Sequence, residues 1–285
     1  MITGATRVAG VIGDPVKHSL SPRLHNAAYR ALGLDWVYVA FEVPAGGALA
    51  AIDAARALDL VGLSVTMPHK TAVAALCDEL SADAAVLRSA NTVTRLADGR
   101  IAGDSTDGAG FLRSLAEAEV DAAGRAVLVL GAGGAARAVA LALGACGARV
   151  TVAARREAAA AEAAALAGGT AIAWDDRAAT AAASDIVVNA TPLGMTDPAD
   201  ATGGASRAEL PLGADVFGPS QVVVDLVYHP IETPLLLAAR EHGARVVAGL
   251  GMLVHQAALQ VERWTGQAAP LAAMRSAVIP IDDER

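Results

Sequence analysis

Only two of the 22 basic residues in this 285-residue chain are lysines, Lys17 and Lys70; the rest are arginines. A guanidinium stays charged, whereas an ammonium gives up a proton wherever its surroundings lower its pKa. A lysine kept in a chain that otherwise writes arginine is therefore a candidate for proton transfer. Lys70 ends the run Gly62-Leu-Ser-Val-Thr-Met-Pro-His-Lys70, just past an apolar strand-like stretch. Its ammonium could supply a proton near neutral pH, where a guanidinium could not. Asp107, in Ser105-Thr106-Asp107-Gly108, is a carboxylate able to keep such a lysine charged and oriented. No chemistry here requires Lys17.

Three further clusters offer polar groups beside a strand end or helix start, where α/β proteins place their ligands: Ser19-Leu-Ser21-Pro22, Thr66 before Lys70, and Asn91-Thr92. Gly131-Ala-Gly-Gly-Ala-Ala136 fits a dinucleotide-binding turn, with Gly131, Gly133 and Ala136 at the required spacing between a strand and a helix. Small residues there let the backbone approach a pyrophosphate, and the helix N-terminus offers free N–H groups. The next strand ends in Ala153-Ala-Arg155-Arg156, where an acidic residue would accept hydrogen bonds from a ribose 2′-OH. Two guanidiniums suit a 2′-phosphate instead, so NADP(H) is the expected cofactor.

The elements that must position these groups alternate. Strands are expected at Arg7–Ile12, Trp36–Glu42 and Leu60–Val65, with helices at Pro22–Leu32 and Gly47–Leu58. This is a parallel βαβαβ pattern. Ser21 is expected to cap the first helix, and Ser81 a helix reaching Arg88. A hairpin is expected around Asp98-Gly99. After a Gly108–Glu119 helix come strands at Ala126–Leu130, Arg149–Ala153, Thr170–Ala173, Ile186–Asn189 and Val222–Leu226. An Ala-rich helix is expected over Glu157–Ala167, and a helix capped by Thr233. A final helix over Gly249–Trp264 is expected to close the chain, and a long loop to span Thr191–Ser220.

Composition narrows the function. The net charge of −8 argues against nucleic-acid or anionic-membrane surfaces. With 3% aromatic residues and abundant Ala, an α/β layer architecture is expected. Cys77 and Cys146 have no CxxC partner and are read as small buried hydrophobes in a reducing, cytoplasmic setting. No signal peptide or membrane span is expected. His18, His69, His229 and His255 lack metal-like spacing, so no metal is expected.

Taken in order over nearly the whole chain, these motifs resemble the shikimate dehydrogenase family. The match includes Asn189-Ala-Thr-Pro-Leu-Gly-Met195, Asp225-Leu-Val-Tyr228-His-Pro230 with Thr233-Pro-Leu-Leu236, and Gly251-Met-Leu253 with Gln256. The resemblance implies two α/β domains with a cleft between them. Residues 1–106 and 248–285 would form a mostly parallel-sheet substrate domain, and residues 107–247 a Rossmann-type NADP-binding domain. It implies reversible NADPH-dependent reduction of 3-dehydroshikimate to shikimate. Lys70 and Asp107 would be catalytic, and Ser19, Ser21, Thr66, Asn91, Tyr228 and Gln256 would join them around the substrate. Gly131, Ala132, Gly133, Gly134, Ala135, Arg155, Arg156, Thr191 and Gly249 would hold the cofactor. The family's Asn-Arg-Thr stretch reads Ala154-Arg155-Arg156 here, and its Asn-Thr-Asp-Gly reads Ser105-Thr-Asp107-Gly. A soluble monomer or homodimer acting on small molecules is implied. A quinate, quinate/shikimate or aminoshikimate dehydrogenase is the alternative within the class, although the quinate branch tends to carry Thr where Ser21 stands. A nucleotide-sensing regulator without chemistry is the alternative from another class. Intact Lys70 and Asp107 argue against it.

Overall fold

The computed structural model describes residues 2–196 and 210–279. The chain divides into two compact units, Met1–Thr106 with Val254–Arg285, and Asp107–Leu253.

The first unit runs β1 (Arg7–Gly13), α1 (Ser21–Ala31), β2 (Trp36–Glu42), α2 (Ala48–Ala57), β3 (Gly62–Val65), α3 (Lys70–Ala74), β4 (Glu79–Leu80), α4 (Ala82–Leu87), β5 (Thr92–Arg95) and β6 (Ile101–Asp104). The sheet order is β2-β1-β3-β5-β6-β4. β1 pairs in parallel with β2 and β3, as the βαβαβ pattern predicts, while β5 is antiparallel to both β3 and β6. The hairpin turns at Gly99, whose φ of +86° suits a residue without a side chain. Ser81 caps α4 by accepting from the Ala84 N–H at 3.3 Å. Ser21 does not cap α1: it is the first helical residue, and Leu20 precedes it with no side-chain cap. Ser19 does that work, its Oγ accepting the Ser21 N–H at 3.2 Å. The short α3 and β4 carry too few residues for periodicity to reveal them.

The second unit runs α5 (Asp107–Glu117), β7 (Ala126–Leu130), α6 (Gly134–Ala145), β8 (Arg149–Ala153), α7 (Glu157–Leu166), β9 (Thr170–Ile172), α8 (Arg177–Ala182), β10 (Ile186–Asn189), β11 (Val222–Asp225), α9 (Pro234–Glu241) and β12 (Arg245–Ala248). Every pairing is parallel, in the order β12-β11-β10-β7-β8-β9. Both faces are covered, which is why these strands read as unbroken apolar runs. Val127 and Val129 point into one core with Phe111 and Leu143; Leu128 and Leu130 point into the other with Val223 and Leu235. The strand order reverses between β7 and β10, where open α/β sheets leave a crevice for ligands. The loop expected over Thr191–Ser220 falls in part on residues 197–209, outside the described residues.

Helix α10 (Gly249–Thr265) passes from the second unit to the first, and α11 (Leu271–Ser276) follows it, so α10 does not close the chain. In the division into compact units the passage falls between Leu253 and Val254. The first turn belongs with the second unit for two reasons. A Cβ on Gly249 would lie 2.5 Å from the Leu226 carbonyl oxygen, so only glycine lets the helix start against that strand end. Met252 then joins the core of that unit. Farther along α10, Trp264 donates its indole N–H to the Val93 carbonyl at 3.1 Å. Cys77 and Cys146 are half-buried rather than buried, and burial pushes the Cys77 thiol up to about 11, which keeps it unreactive.

Trp264 sits tightly over β3. A Cβ on Gly62 would fall 2.3 Å from its Nε1 and 2.4 Å from the Val93 carbonyl oxygen. Gly62→Ala is expected to cost about 3 kcal/mol in urea unfolding, because neither neighbour is the loose end of a flexible chain. Gly218→Ala, which meets no atom within 4 Å, should stay within about 0.5 kcal/mol of the parent protein.

Candidate active site

In the first unit the expected substrate residues leave from one edge of the sheet. Ile12 pairs with Val65, Ser64 with Thr92, and Thr92 with Asp104. Ser19 and Ser21 follow β1, Thr66 and Lys70 follow β3, Asn91 precedes the antiparallel β5, and Thr106 follows β6. Asn91 is the tie point. Its backbone carbonyl accepts the Val65 N–H at 2.7 Å, and its N–H donates to the Asp104 carbonyl at 3.0 Å. Its buried side-chain carbonyl accepts from the Thr106 N–H and the Thr92 hydroxyl, each at 2.8 Å. Its amide NH₂ donates to the Thr106 hydroxyl at 3.0 Å. Lys70, half-buried, opens α3, and its carbonyl accepts the Ala90 N–H at 3.0 Å. The neighbouring His69 is buried and bonds the Val43 carbonyl at 2.7 Å through Nε2. It anchors the turn that leads into Lys70. Asp104, buried at the end of β6, is ion-paired with Arg263 of α10.

Behind Ser21 lies a packed aromatic group. His25, fully buried, stacks on Tyr38 with ring centroids 4.0 Å apart. Burial holds its pKa down at about 4, so the ring is neutral at pH 7 and its Nδ1–H donates to the Ser21 carbonyl at 2.9 Å. Burial raises the Tyr38 phenol, with the hydroxyls of Ser64 and Ser21 hydrogen-bonded to it. Gln256 is buried on α10. Lys17 is exposed and paired with Glu42 at 2.8 Å, a bond that raises its pKa. It takes no part in the cluster.

In the second unit the alignment is tighter. Ala153, Leu130, Asn189, Asp225 and Ala248 are the last residues of five parallel strands and stand side by side in register. From this row leave the Gly131–Ala135 turn, Arg155 and Arg156, Thr191, Tyr228 and Gly249. Gly131 needs to be glycine twice over. Its φ is +103°, and a Cβ would sit 2.8 Å from the Ala190 carbonyl oxygen. Its N–H donates to the Ala153 carbonyl at 2.8 Å, which brings the turn beside the strand that leads to Arg155. Gly133 is the N-cap of α6 and offers no side chain to its first N–H groups. A Cβ there would meet no protein atom within 4 Å. Backbone donors at the start of α6 with nothing crowding them are what a pyrophosphate requires. Arg155 and Arg156 are exposed. Among the described residues no ion pair engages either guanidinium, which suits a 2′-phosphate. Arg156 is also the N-cap of α7.

Thr191 and Gly249 build the edge. The Thr191 hydroxyl donates to Asn189 Oδ1 at 2.7 Å and accepts the Leu193 N–H at 3.2 Å. The Asn189 amide donates to Asp225 Oδ1 at 2.9 Å. Asp225, fully buried, also accepts the Val227 N–H at 3.0 Å and the Thr233 hydroxyl at 2.7 Å. Thr233 in turn caps α9. Burial raises the Asp225 pKa despite these three donors. Tyr228, in the turn that Asp225 organises, has its phenol raised by burial. Among the described residues no group of His, Cys, Asp and Glu side chains could hold a metal ion, and no helix is long and apolar enough to cross a membrane.

Comparison with known proteins decides the family. The shikimate dehydrogenase substrate-binding domain matches residues 11–93, shikimate/quinate 5-dehydrogenase residues 114–195, and the shikimate 5′-dehydrogenase C-terminal domain residues 249–279. The shikimate dehydrogenase (NADP⁺) of Methanopyrus kandleri is 44% identical over 98% of this chain and 97% of its own length. The chain belongs to the shikimate dehydrogenase family. The crystal structure of the Thermus thermophilus shikimate 5-dehydrogenase with NADP(H) and shikimate superposes with a TM-score of 0.85 at 36% identity, covering 95% of this chain and 98% of that one. A quinate dehydrogenase from Corynebacterium glutamicum in complex with NAD gives 0.87 at 33% identity, covering 95% and 98%. Fold alone therefore does not separate shikimate from quinate enzymes within the family. The three matched stretches contain every expected site residue except Asp107 and Tyr228.

The residues that organise these edges were less visible in the sequence. Ser64 stands inside an apolar strand, and Gln260 lies one helical turn beyond Gln256 on an apolar helix face. A polar residue in a buried apolar pattern was the signal available for both. For Asp225 the consequence is measurable. Its folded pKa lies above the ordinary 3.8, so the folded state binds the proton more tightly than the unfolded one. The stabilisation is complete below that ordinary value and is lost as pH rises through the folded pKa. In urea titrations from pH 4 to pH 7, wild type should lose stability relative to Asp225→Asn as pH rises, then run parallel to it. A difference independent of pH would refute the assignment.

Proposed function

We propose that the chain catalyses the reversible NADPH-dependent reduction of 3-dehydroshikimate to shikimate. The observation that carries this reading is the placement of Thr66, Lys70 and Asn91 at one edge of the first unit's sheet. It is supported by a second-unit edge where Gly131, the start of α6 and Arg155 lie together. In this reading residues 1–106 and 248–285 bind substrate and residues 107–247 bind NADP(H), as a cytoplasmic monomer or homodimer. The nicotinamide, when bound, supplies the hydride.

The remaining work falls to side chains. Lys70 places its ammonium by the ketone oxygen, stabilises the charge that develops there and gives it a proton. Asp107 keeps Lys70 charged and accepts a substrate hydroxyl. Ser19, Ser21, Thr66, Asn91 and Gln256 bind the remaining hydroxyls and the carboxylate, and Tyr228 lines the substrate site. Gly131, Ala132, Gly133, Gly134 and Ala135 present backbone to the pyrophosphate. Arg155 and Arg156 pair with the 2′-phosphate, while Thr191 and Gly249 shape the strand ends around the cofactor.

Two measurements test the reading. Absorbance assays with shikimate or quinate against NADP⁺ or NAD⁺ should show kcat/KM highest for shikimate with NADP⁺. Faster turnover with NAD⁺ would overturn the role of Arg155 and Arg156, and preference for quinate would favour the relative's activity. Lys70→Ala should lower kcat at least ~100-fold while moving the shikimate KM less than about threefold. Retained turnover would remove Lys70 from the chemistry.

A further inference from the structure

The polar side chains behind the first unit's edge form one directed chain. Tyr38 donates its hydroxyl hydrogen to Ser64 Oγ at 2.5 Å, and Ser64 donates to Gln260 Oε1 at 2.7 Å. Each hydroxyl has a single hydrogen, so this order assigns the Gln260 carbonyl to the Ser64 side and its NH₂ to the other. That NH₂ donates to Thr92 Oγ1 at 3.0 Å. The Thr92 hydroxyl, now an acceptor toward Gln260, directs its own hydrogen to Asn91 Oδ1 at 2.8 Å. Gln260 is 1% exposed, Thr92 is fully buried and Asn91 is 3% exposed, so water does not offer an easy substitute partner.

We propose that Gln260 is a positioning residue for substrate binding, holding the Asn91 amide in place through Thr92. Two close donors hold Asn91 Oδ1 at 2.8 Å, with the Thr106 hydroxyl farther off at 3.3 Å. The Thr106 N–H is backbone and permanent, and the Thr92 hydroxyl depends on Gln260. With both in place the Asn91 carbonyl is committed to the protein, and its NH₂, which donates to the Thr106 hydroxyl at 3.0 Å, is fixed on the opposite side of the amide. An amide NH₂ carries donors only, so a substrate oxygen that it recognises is an acceptor, a hydroxyl or carbonyl oxygen. Without Gln260 the Thr92 hydroxyl gains freedom to turn away, toward the Thr106 hydroxyl at 3.4 Å, and Asn91 Oδ1 loses one of its two close donors. The inference rests on the shikimate dehydrogenase reading for its substrate, but the pinning of Asn91 can be observed without turnover.

Gln260→Met keeps the volume and removes the amide contacts to Ser64 and Thr92, along with a longer one from the NH₂ to the Asn91 backbone carbonyl at 3.4 Å. It should raise the shikimate KM about 10-fold, the equivalent of one well-made hydrogen bond to a buried group, and leave the NADP⁺ KM unchanged. Thr92→Val should do the same, and Thr92→Ser, which keeps the hydroxyl, should restore the parent value. In an Asn91→Ala background Gln260→Met should have little further effect on KM, since the group it acts through is gone. An unchanged shikimate KM in Gln260→Met, an equal increase in the Asn91→Ala background, or Thr92→Ser behaving like Thr92→Val would each overturn the proposal. If Gln260→Met fails to fold by circular dichroism, the Thr92 pair decides. The Asn91 side-chain amide resonance, assigned by its loss in Asn91→Ala, should broaden in Gln260→Met or Thr92→Val whatever the substrate. An unchanged resonance refutes the pinning. Absence of wild-type shikimate turnover together with that broadening refutes the functional reading and leaves the pinning standing.

Discussion

A buried side-chain amide that must be satisfied on every atom organises the first unit. Asn91 lies where β3 ends, β5 begins and β6 has just finished, and it bonds to all three through backbone and side chain. Burying an amide without partners costs more than any one bond returns. The segments around Asn91 therefore have little freedom to drift. Thr66 and Lys70 leave from one of them, and Thr106, the residue before Asp107, is bonded directly to its side chain.

The second unit meets the same demand with a different arrangement. Five parallel strands end in register, and the backbone beyond them must turn at once. Gly131 and Gly249 allow close approach of backbone to backbone, and Asn189, Asp225 and Thr233 satisfy the donors exposed by the turns. Asp225 is the costly member, since a carboxylate out of water resists ionisation. Its three donors make that position tolerable and tie β10, β11 and α9 together. The edge that results presents N–H groups and two arginines, and carries no acidic side chain at the end of β8. Its electrostatics suit a phosphorylated anion on a protein whose overall charge is negative.

Much of this was legible in the sequence because it depends on local chemistry. The apolar runs of β7, β10 and β11 read as buried parallel strands, and Ser81 and Thr233 as helix caps. The Gly131 turn was readable because its spacing and flanking elements are contiguous. Elements too short for periodicity, such as α3 and β4, were not, and neither was the capping of α1, which falls to Ser19 rather than Ser21.

The sequence by itself determined which groups could do chemistry: a scarce lysine, a carboxylate, a glycine turn and a pair of arginines, in an order that names the family. Residue type settles such matters, because pKa range, hydrogen-bond capacity and backbone freedom belong to each residue wherever it sits. Only the tertiary structure decided which groups stand behind them. Ser64 and Gln260 are 196 positions apart and bond at 2.7 Å, and Asn189 reaches Asp225 across 36. No local pattern encodes such pairs. They exist because a folded interior excludes water and leaves each buried polar atom to find its partner in another part of the chain.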